Sequence, residues 1–148
     1  MEIELSNDFK ELLKLLHARG VKYLLIGGYA VGFHGYPRST KDMDIWVEPS
    51  PDNARRIVAA LREFGFGMPE LDEDLFLQDK SIVRMGVPPQ QIEITTRISG
   101  VEFAECFSER VTAMIEDVQV NLINLKHLKK NKKASGRYRD LDDLEHLP

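Results

Sequence analysis

The sequence predicts an α/β fold, in the broad sense that includes α+β, because helical and strand patterns alternate along its 148 residues. Apolar residues recur at helical spacing in residues 8–19 and 51–64. Short apolar or alternating runs over residues 23–26 and 40–47 have the length and composition of strands. We expect a single domain over residues 1–148, since this length suits one hydrophobic core and is too short for two ordinary ones.

The composition is that of a folded globular protein, with 43% hydrophobic residues, 30% charged residues and a net charge of -4. No apolar run approaches the roughly 20 residues needed to cross a bilayer, so no membrane partner is expected. The N-terminal residues also lack the basic-then-apolar order of a secretory signal. The single cysteine, Cys106, excludes an intramolecular disulfide and favours a reduced, cytoplasmic location. Its neighbours Phe103 and Phe107 predict that it packs in the core.

The first elements are a helix, a strand and a glycine turn. Asp8 and Glu11 are spaced as a capping pair for the helix over 8–19, and Gly20 follows its end. The apolar run 23–26 ends at Gly27 and Gly28, which predicts a strand running into a tight turn. A short helix over 29–34 would then direct its first N–H groups at the turn, an arrangement that binds anions.

The remaining elements follow from caps and periodicity. Ser50 and Pro51 are typical of a helix start, and Gly65 of its end. Further along the chain we expect a loop with up to two helical turns over 66–79, strands over 81–87 and 91–97, a helix over 101–108, a hairpin over 111–115 and 118–122, and two C-terminal helices separated near 135–136.

The candidate metal ligands are Asp42 and Asp44, which alternate with apolar residues and so share one face of their strand. Five other acid-x-acid pairs occur in the chain, but only this one lies in an apolar strand, where two like charges are costly unless a cation binds. Glu93, in the alternating run 91–97, is the best third carboxylate; an exposed strand residue is the alternative. Oxygen-only ligands favour Mg²⁺ or Mn²⁺ over zinc.

These residues resemble the signature of the DNA polymerase β-type nucleotidyltransferase superfamily: Gly27-Gly28, a gap, then Asp42-Met43-Asp44-Ile45, with Ile92-Glu93-Ile94 where that family carries its third carboxylate. The form seen here looks like the small prokaryotic nucleotidyltransferases related to abortive-infection toxins. A late lysine, Lys126, followed by Arg137 and Asp140 is similar to their C-terminal element. The resemblance implies a minimal nucleotidyltransferase fold, with a mixed central sheet flanked by helices and C-terminal helices.

The resemblance also implies residue roles. Asp42, Asp44 and Glu93 would bind the metal ions and act catalytically, and the Gly27-Gly28 turn would cradle the triphosphate of an NTP. Many family members have Gly-Ser at this turn, and the third acid here is Glu where theirs is Asp.

Several basic residues are expected near the nucleotide as well. Arg38 and Lys41 precede the aspartates and would neutralise phosphate charge, with an exposed loop as the alternative. The likeness places Lys126 at the nucleotide, while Arg137 and Asp140 either close over it or pair with each other. Trp46 shares the face of the aspartates, where it would pack or stack on a base.

The predicted function is transfer of an NMP from an NTP to an acceptor hydroxyl by two-metal-ion catalysis, the acceptor being RNA, a protein or a small molecule. One alternative is a non-catalytic nucleotide-binding protein that acts through a protein partner, as in a toxin–antitoxin pair. Another is an RNA-directed toxin component. For the latter, the basic run over 126–139 would be the docking surface. A solvated helix face is the commoner meaning of such a run, and the net charge of -4 provides no broad nucleic-acid footprint.

Overall fold

A six-stranded mixed sheet flanked by helices forms the architecture, as predicted. The computed structural model describes residues 5–37, 42–87 and 91–148. The strands are β1 (Tyr23–Ile26), β2 (Asp42–Val47), β3 (Ile82–Met85), β4 (Gln91–Thr95), β5 (Val111–Ile115) and β6 (Val118–Leu122). Their order in the sheet is β3-β4-β2-β1-β6-β5. Two pairings, β1 with β6 and β2 with β4, are parallel, and the other three are antiparallel.

Six α-helices and one short 3₁₀ helix (Glu73–Phe76) accompany the sheet within the described residues. The α-helices are α1 (Asn7–Ala18), α2 (Gly27–Phe33), α3 (Pro51–Phe64), α4 (Phe103–Ser108), α5 (Leu125–Ser135) and α6 (Tyr138–His146). Helix α1 packs on α3 and on β6, and α5 packs on α6. All four residues of the central strand β1 are buried, as expected for a strand covered on both faces. None of the helices in the described residues is long and apolar enough to cross a membrane.

Local sequence explains where most elements begin and end. Ser50 caps α3 through a hydrogen bond from the Asn53 N–H, and the following proline occupies the first turn. Glu116 and Asp117 both have positive φ, which is the two-residue turn geometry that suits the twist of the β5–β6 hairpin. Gly136 ends α5 in the left-handed conformation. The predicted packing role of Cys106 is also confirmed, because this side chain is fully buried in the core.

The predicted starts of α1 and α2 are among the boundaries that were wrong. Helix α1 begins earlier than predicted because Ser6, not Asp8, is its cap: the Ser6 hydroxyl accepts a hydrogen bond from the Phe9 N–H at 3.1 Å. Gly27 and Gly28 do not form a turn that precedes α2; they are its first two residues. The change of direction is made within a single residue, Gly27, whose φ is +66°.

Candidate functional site

Parallel pairing of β2 with β4 brings the three predicted carboxylates together. Asp44 is the register partner of Glu93, and Asp42 precedes Asp44 by two residues on the same strand face. All three are half-buried, whereas Met43 and Ile45, which point to the other face, are completely buried. We call Asp42, Asp44 and Glu93 the strand carboxylates. The register therefore places Glu93 beside Asp44 and on the same sheet face as Asp42.

Gly27 leaves room for the Asp44 carboxylate. Antiparallel pairing of β1 with β2 sets Ile26 beside Asp44, so that the next residue, Gly27, starts α2 against the acid. A Cβ at Gly27 would lie 2.8 Å from Cγ and 3.0 Å from Cβ of Asp44 and would overlap its carboxylate oxygen. The φ of +66° disfavours any other residue as well. The position of the Asp44 side chain thus depends on a glycine here.

Arg84 adds a cation that the sequence did not indicate. It lies on β3 as the register partner of Glu93, and its Nε donates a hydrogen bond to Glu93 Oε2 at 3.1 Å. A charge-assisted bond of this kind orients the Glu93 carboxylate. Strand alternation alone could not identify this contact, because it depends on which strand pairs with β4.

The strand carboxylates line an open cleft of about 1550 Å³, together with Gly27 and Gly28. The end of α5 and the start of α6 also contribute, with five residues that carry hydrogen-bonding or cationic side chains. These are Asn131, Lys132, Ser135, Arg137 and Arg139. The cleft therefore combines a cluster of acids with a cationic segment, which suits a ligand that carries both metal ions and phosphates.

Among the cations of the cleft, Arg137 interacts electrostatically with two of the strand carboxylates. Its Nε donates to Asp140 Oδ2 at 2.9 Å, and its side chain is mostly exposed. The hydrogen bond and charge of Asp140 raise the pKa of Arg137, and the charges of Asp44 and Glu93 raise it further. Of the two alternatives expected for Arg137 and Asp140, their pairing is present in the structure, and the charges of Asp44 and Glu93 also act on the guanidinium.

A buried ion network joins α5 to α6 behind Arg137. Lys132 Nζ lies 3.1 Å from both Asp140 Oδ1 and Asp143 Oδ2, and all three residues are buried. Burial alone would raise the pKa of Asp140, but hydrogen bonds from Arg137, Ser135 and Lys132 hold it well below its usual range. The network positions the start of α6, and with it Arg137, at the cleft.

Lys126, the predicted nucleotide contact, does not line this cleft. It is exposed in the first turn of α5, six residues before Lys132, which corresponds to about 9 Å along a helix. The lysine that the fold brings to the cleft and to Asp140 is Lys132. A sequence pattern could have identified it: Lys132 follows the buried Leu128 by four residues and so occupies a core-facing position of α5.

The other predicted contacts divide into two groups. Arg38 and Lys41 lie outside the described residues. Trp46 is only 1% exposed and packs edge-on against Phe103, with ring centroids 5.1 Å apart. The indole is therefore a packing residue under the cleft and is too buried to stack on a base.

Burial of Lys132 also removes one lysine from the basic run that was considered as an RNA-docking surface.

Comparisons with known proteins identify no family. No family model matches the chain, and no curated protein matches it. Among solved structures, the chain is similar to the crystal structure of JHP933 from Helicobacter pylori, with 19% sequence identity and a TM-score of 0.47. That similarity covers 95% of this chain and 66% of the JHP933 chain. Similarity at this level carries no argument about activity, so a functional interpretation must rest on the cleft itself.

Proposed function

We propose that the protein is a metal-dependent nucleotidyltransferase that moves a nucleoside monophosphate from an NTP to an acceptor hydroxyl. The observation that supports this best is the register of β2 with β4, which sets Asp44 beside Glu93 and Asp42 on the same face of an open cleft. Three half-buried carboxylates on adjacent parallel strands form an oxygen-only donor set, which suits Mg²⁺ or Mn²⁺. Gly27 supports this assignment, because a glycine at this position leaves room for the Asp44 carboxylate.

The strand carboxylates would hold the metal ions. When bound, two such ions activate an attacking hydroxyl and neutralise the charge that develops on a transferred phosphoryl group. In the overall reaction a bond forms between the acceptor oxygen and the α-phosphorus of the NTP, and the bond from that phosphorus to the bridging oxygen breaks. Pyrophosphate leaves with the electron pair of the broken bond, and the proton of the acceptor hydroxyl passes to solvent water.

The proposal assigns roles to Glu93, to the Gly27-Gly28 pair and to Arg137. Glu93, oriented by Arg84, acts toward the acceptor hydroxyl. Gly27 and Gly28, which have no side chains, allow the triphosphate to approach the first turn of α2 closely. Arg137 supplies positive charge within the field of the carboxylates and would neutralise phosphate oxygens. The roles of Arg38 and Lys41 remain predictions from the sequence.

Labelled NMP transfer tests the proposal. The purified chain is incubated with each α-³²P-labelled NTP and Mg²⁺, and label is followed into RNA, into protein and into small-molecule acceptors. Transfer should require Mg²⁺ and should be lost in Asp42→Asn/Asp44→Asn. Asp72→Asn/Asp74→Asn is the matched control, because this pair has the same acid-x-acid spacing but is exposed and lies outside the cleft.

Two results would overturn the proposal. The first is an absence of both NTP binding and label transfer for every acceptor class. The second is transfer that persists unchanged in Asp42→Asn/Asp44→Asn. NTP binding without any turnover would instead favour the non-catalytic nucleotide-binding protein, whose biological effect should survive the same substitutions.

A further inference from the structure

A second group of possible metal ligands lies on the helices, outside the strand carboxylates. Glu105 belongs to α4, Glu109 is the residue that ends that helix, and His127 is in the first turn of α5. One ligand atom from each residue lies within 4.8 Å of the other two. His127 Nε2 is 3.7 Å from Glu105 Oε1 and 3.6 Å from Glu109 Oε2. We call these three residues the helix cluster.

His127 supplies an independent reason to expect a ligand. Only 2% of the residue is exposed, and among the described residues neither of its ring nitrogens has a hydrogen-bond partner. The two glutamate oxygens are beyond the roughly 3.2 Å limit of a normal N–H···O hydrogen bond. A buried polar group in this condition is costly, and native proteins usually satisfy it with a bound group or water. Of the two nitrogens, Nε2 faces the two carboxylates, so a bound group that satisfies this atom would lie between them.

The backbone around the cluster is held in place by Asn124. Its side-chain oxygen accepts a hydrogen bond from the His127 N–H at 2.8 Å and so caps α5. The amide nitrogen of the same side chain donates to the Glu109 carbonyl at 3.0 Å. Cys106, which is fully buried between the two glutamates in sequence, anchors α4 to the core. The cluster is therefore attached to fixed backbone, although the glutamate side chains themselves are about half exposed.

We propose that the helix cluster is a Zn²⁺ site, distinct from the strand carboxylates. One imidazole and two carboxylates are ligands that zinc accepts, whereas Mg²⁺ prefers oxygen alone. Tetrahedral zinc with bonds of about 2.0–2.1 Å separates its ligand atoms by about 3.4 Å, which is close to the 3.7 and 3.6 Å between His127 Nε2 and the two glutamate oxygens. Exposure of the glutamates leaves the fourth position to water.

Zinc bound here would connect the two helical segments that line the cleft. Glu102 and Phe103 line the cleft just before Glu105, while Asn131 and Lys132 do so one turn after His127. With zinc bound, the side chains of the helix cluster would link α4 to α5. They would add to the hydrogen bond that the Asn124 side chain donates to the Glu109 carbonyl. Occupancy of the site would therefore stabilise the wall of the cleft by joining the two helices.

Zinc titration of the metal-stripped full-length chain tests the site. We use Asp42→Asn/Asp44→Asn as the background, so that the strand carboxylates do not contribute. Calorimetry should give one Zn²⁺ per chain, and Zn²⁺ should raise the melting temperature by several degrees, whereas Mg²⁺ at the same concentration should not. Adding Glu105→Gln/Glu109→Gln should weaken Zn²⁺ binding by about 100-fold or more, since outer-shell changes alone cost 10–100-fold.

The control is Glu11→Gln/Glu145→Gln in the same background, which removes the same charge from exposed positions on α1 and α6 and should leave Zn²⁺ binding intact. Because both cluster glutamates are about half exposed, their substitution tests the site without disturbing the core, as replacing the buried His127 would. A change in the His127 ring resonances on Zn²⁺ addition is the second readout. No Zn²⁺ binding, or equal binding in the cluster and control variants, would overturn the proposal.

Discussion

The strand carboxylates and the helix cluster both bring acidic residues close together, but they do so through different secondary structure. The strand set uses sheet register, which places Asp44 beside Glu93 at a fixed lateral spacing of about 4.8 Å between strands. The helix set uses residues four apart, Glu105 and Glu109, together with His127 from another helix. The first has oxygen ligands only and lines a large cleft, while the second includes a buried imidazole.

The types of ligand atom and their surroundings, more than the number of acids, determine which metal ion each cluster prefers. Oxygen ligands at an open cleft suit a hydrated Mg²⁺ that shares its coordination with substrate phosphates. An imidazole with two carboxylates at the junction of two helices is a donor set that zinc accepts. The two regions should therefore respond to different ions and to different substitutions, and variants can separate them.

The largest effect is expected at Lys132, because this buried lysine is the cation shared by the buried Asp140 and Asp143. Lys132→Met should leave Asp140 and Asp143 buried without their shared cation and lower the free energy of unfolding by about 3–5 kcal/mol. Urea denaturation measures the change. Lys126→Met, on the exposed side of the same helix, is the control and should stay within about 0.5 kcal/mol of the parent. Equal effects of the two substitutions would contradict the buried network.

The next largest effect separates the two regions by function. Glu93→Gln should lower NMP transfer by about 10²–10³-fold, the loss typical when one preorganised electrostatic group is removed from a reaction centre. Its Zn²⁺-induced melting shift should equal that of the parent, because the helix cluster is untouched. Steady-state transfer assays and thermal melts provide the two readouts. Full transfer activity in the Glu93→Gln variant would remove this residue from the proposed centre.

A smaller effect tests the packing of Gly27 on Asp44. Gly27→Ala and Gly136→Ala both place alanine at φ +66°, and each should cost about 1–2 kcal/mol in the free energy of unfolding. Only at Gly27 does the new Cβ meet an acid; at Gly136 the nearest atom is 3.8 Å away. Displacement of Asp44 should therefore lower transfer about 10–100-fold more in Gly27→Ala. Equal activities of the two variants would show that the position of this carboxylate does not matter.

The smallest effect concerns Asp140, which is paired with Lys132 and Arg137. The pKa of Asp140 is lower in the folded than in the unfolded chain, so its stabilising contribution is complete above about pH 4 and is lost as the pH falls towards the folded value. Below about pH 4 this residue should add up to about 1.4 kcal/mol per pH unit to the loss of stability. Asp140→Asn should show a shallower acid dependence in denaturation at pH 5 to 3. An unchanged slope would argue against the pairing.

Sequence patterns predicted the strand carboxylates well because strand alternation fixes which side chains share a face. Asp42 and Asp44 follow from this rule, and so does the orientation of Glu93. The resemblance to the family motif then connected the two strands, although 43 residues separate Val47 from Gln91 in the sequence. Arg84 could not be predicted, since its contact with Glu93 depends on the partner of an edge strand.

The helix cluster was not predicted, because its members look ordinary in sequence. Glu105 and Glu109 are typical of a solvated helix face, and His127 stands next to a run of lysines. Only the packing of α4 near α5 makes His127 a buried neighbour of both acids. The misplaced expectation for Lys126 has a related cause: the motif indicated a late lysine, while the choice among several lysines depends on which one faces the core.

Anomalous diffraction from crystals soaked with Mn²⁺ and a non-hydrolysable NTP tests the central claim most directly. The metal and the phosphates would then be located in one map, and zinc at the helix cluster could be distinguished by its own absorption edge. We predict Mn²⁺ peaks within bonding distance of Asp42, Asp44 and Glu93, with the triphosphate extending toward Gly27. Mn²⁺ peaks only elsewhere, or a nucleotide bound outside this cleft, would contradict the assignment of the strand carboxylates as the reaction centre.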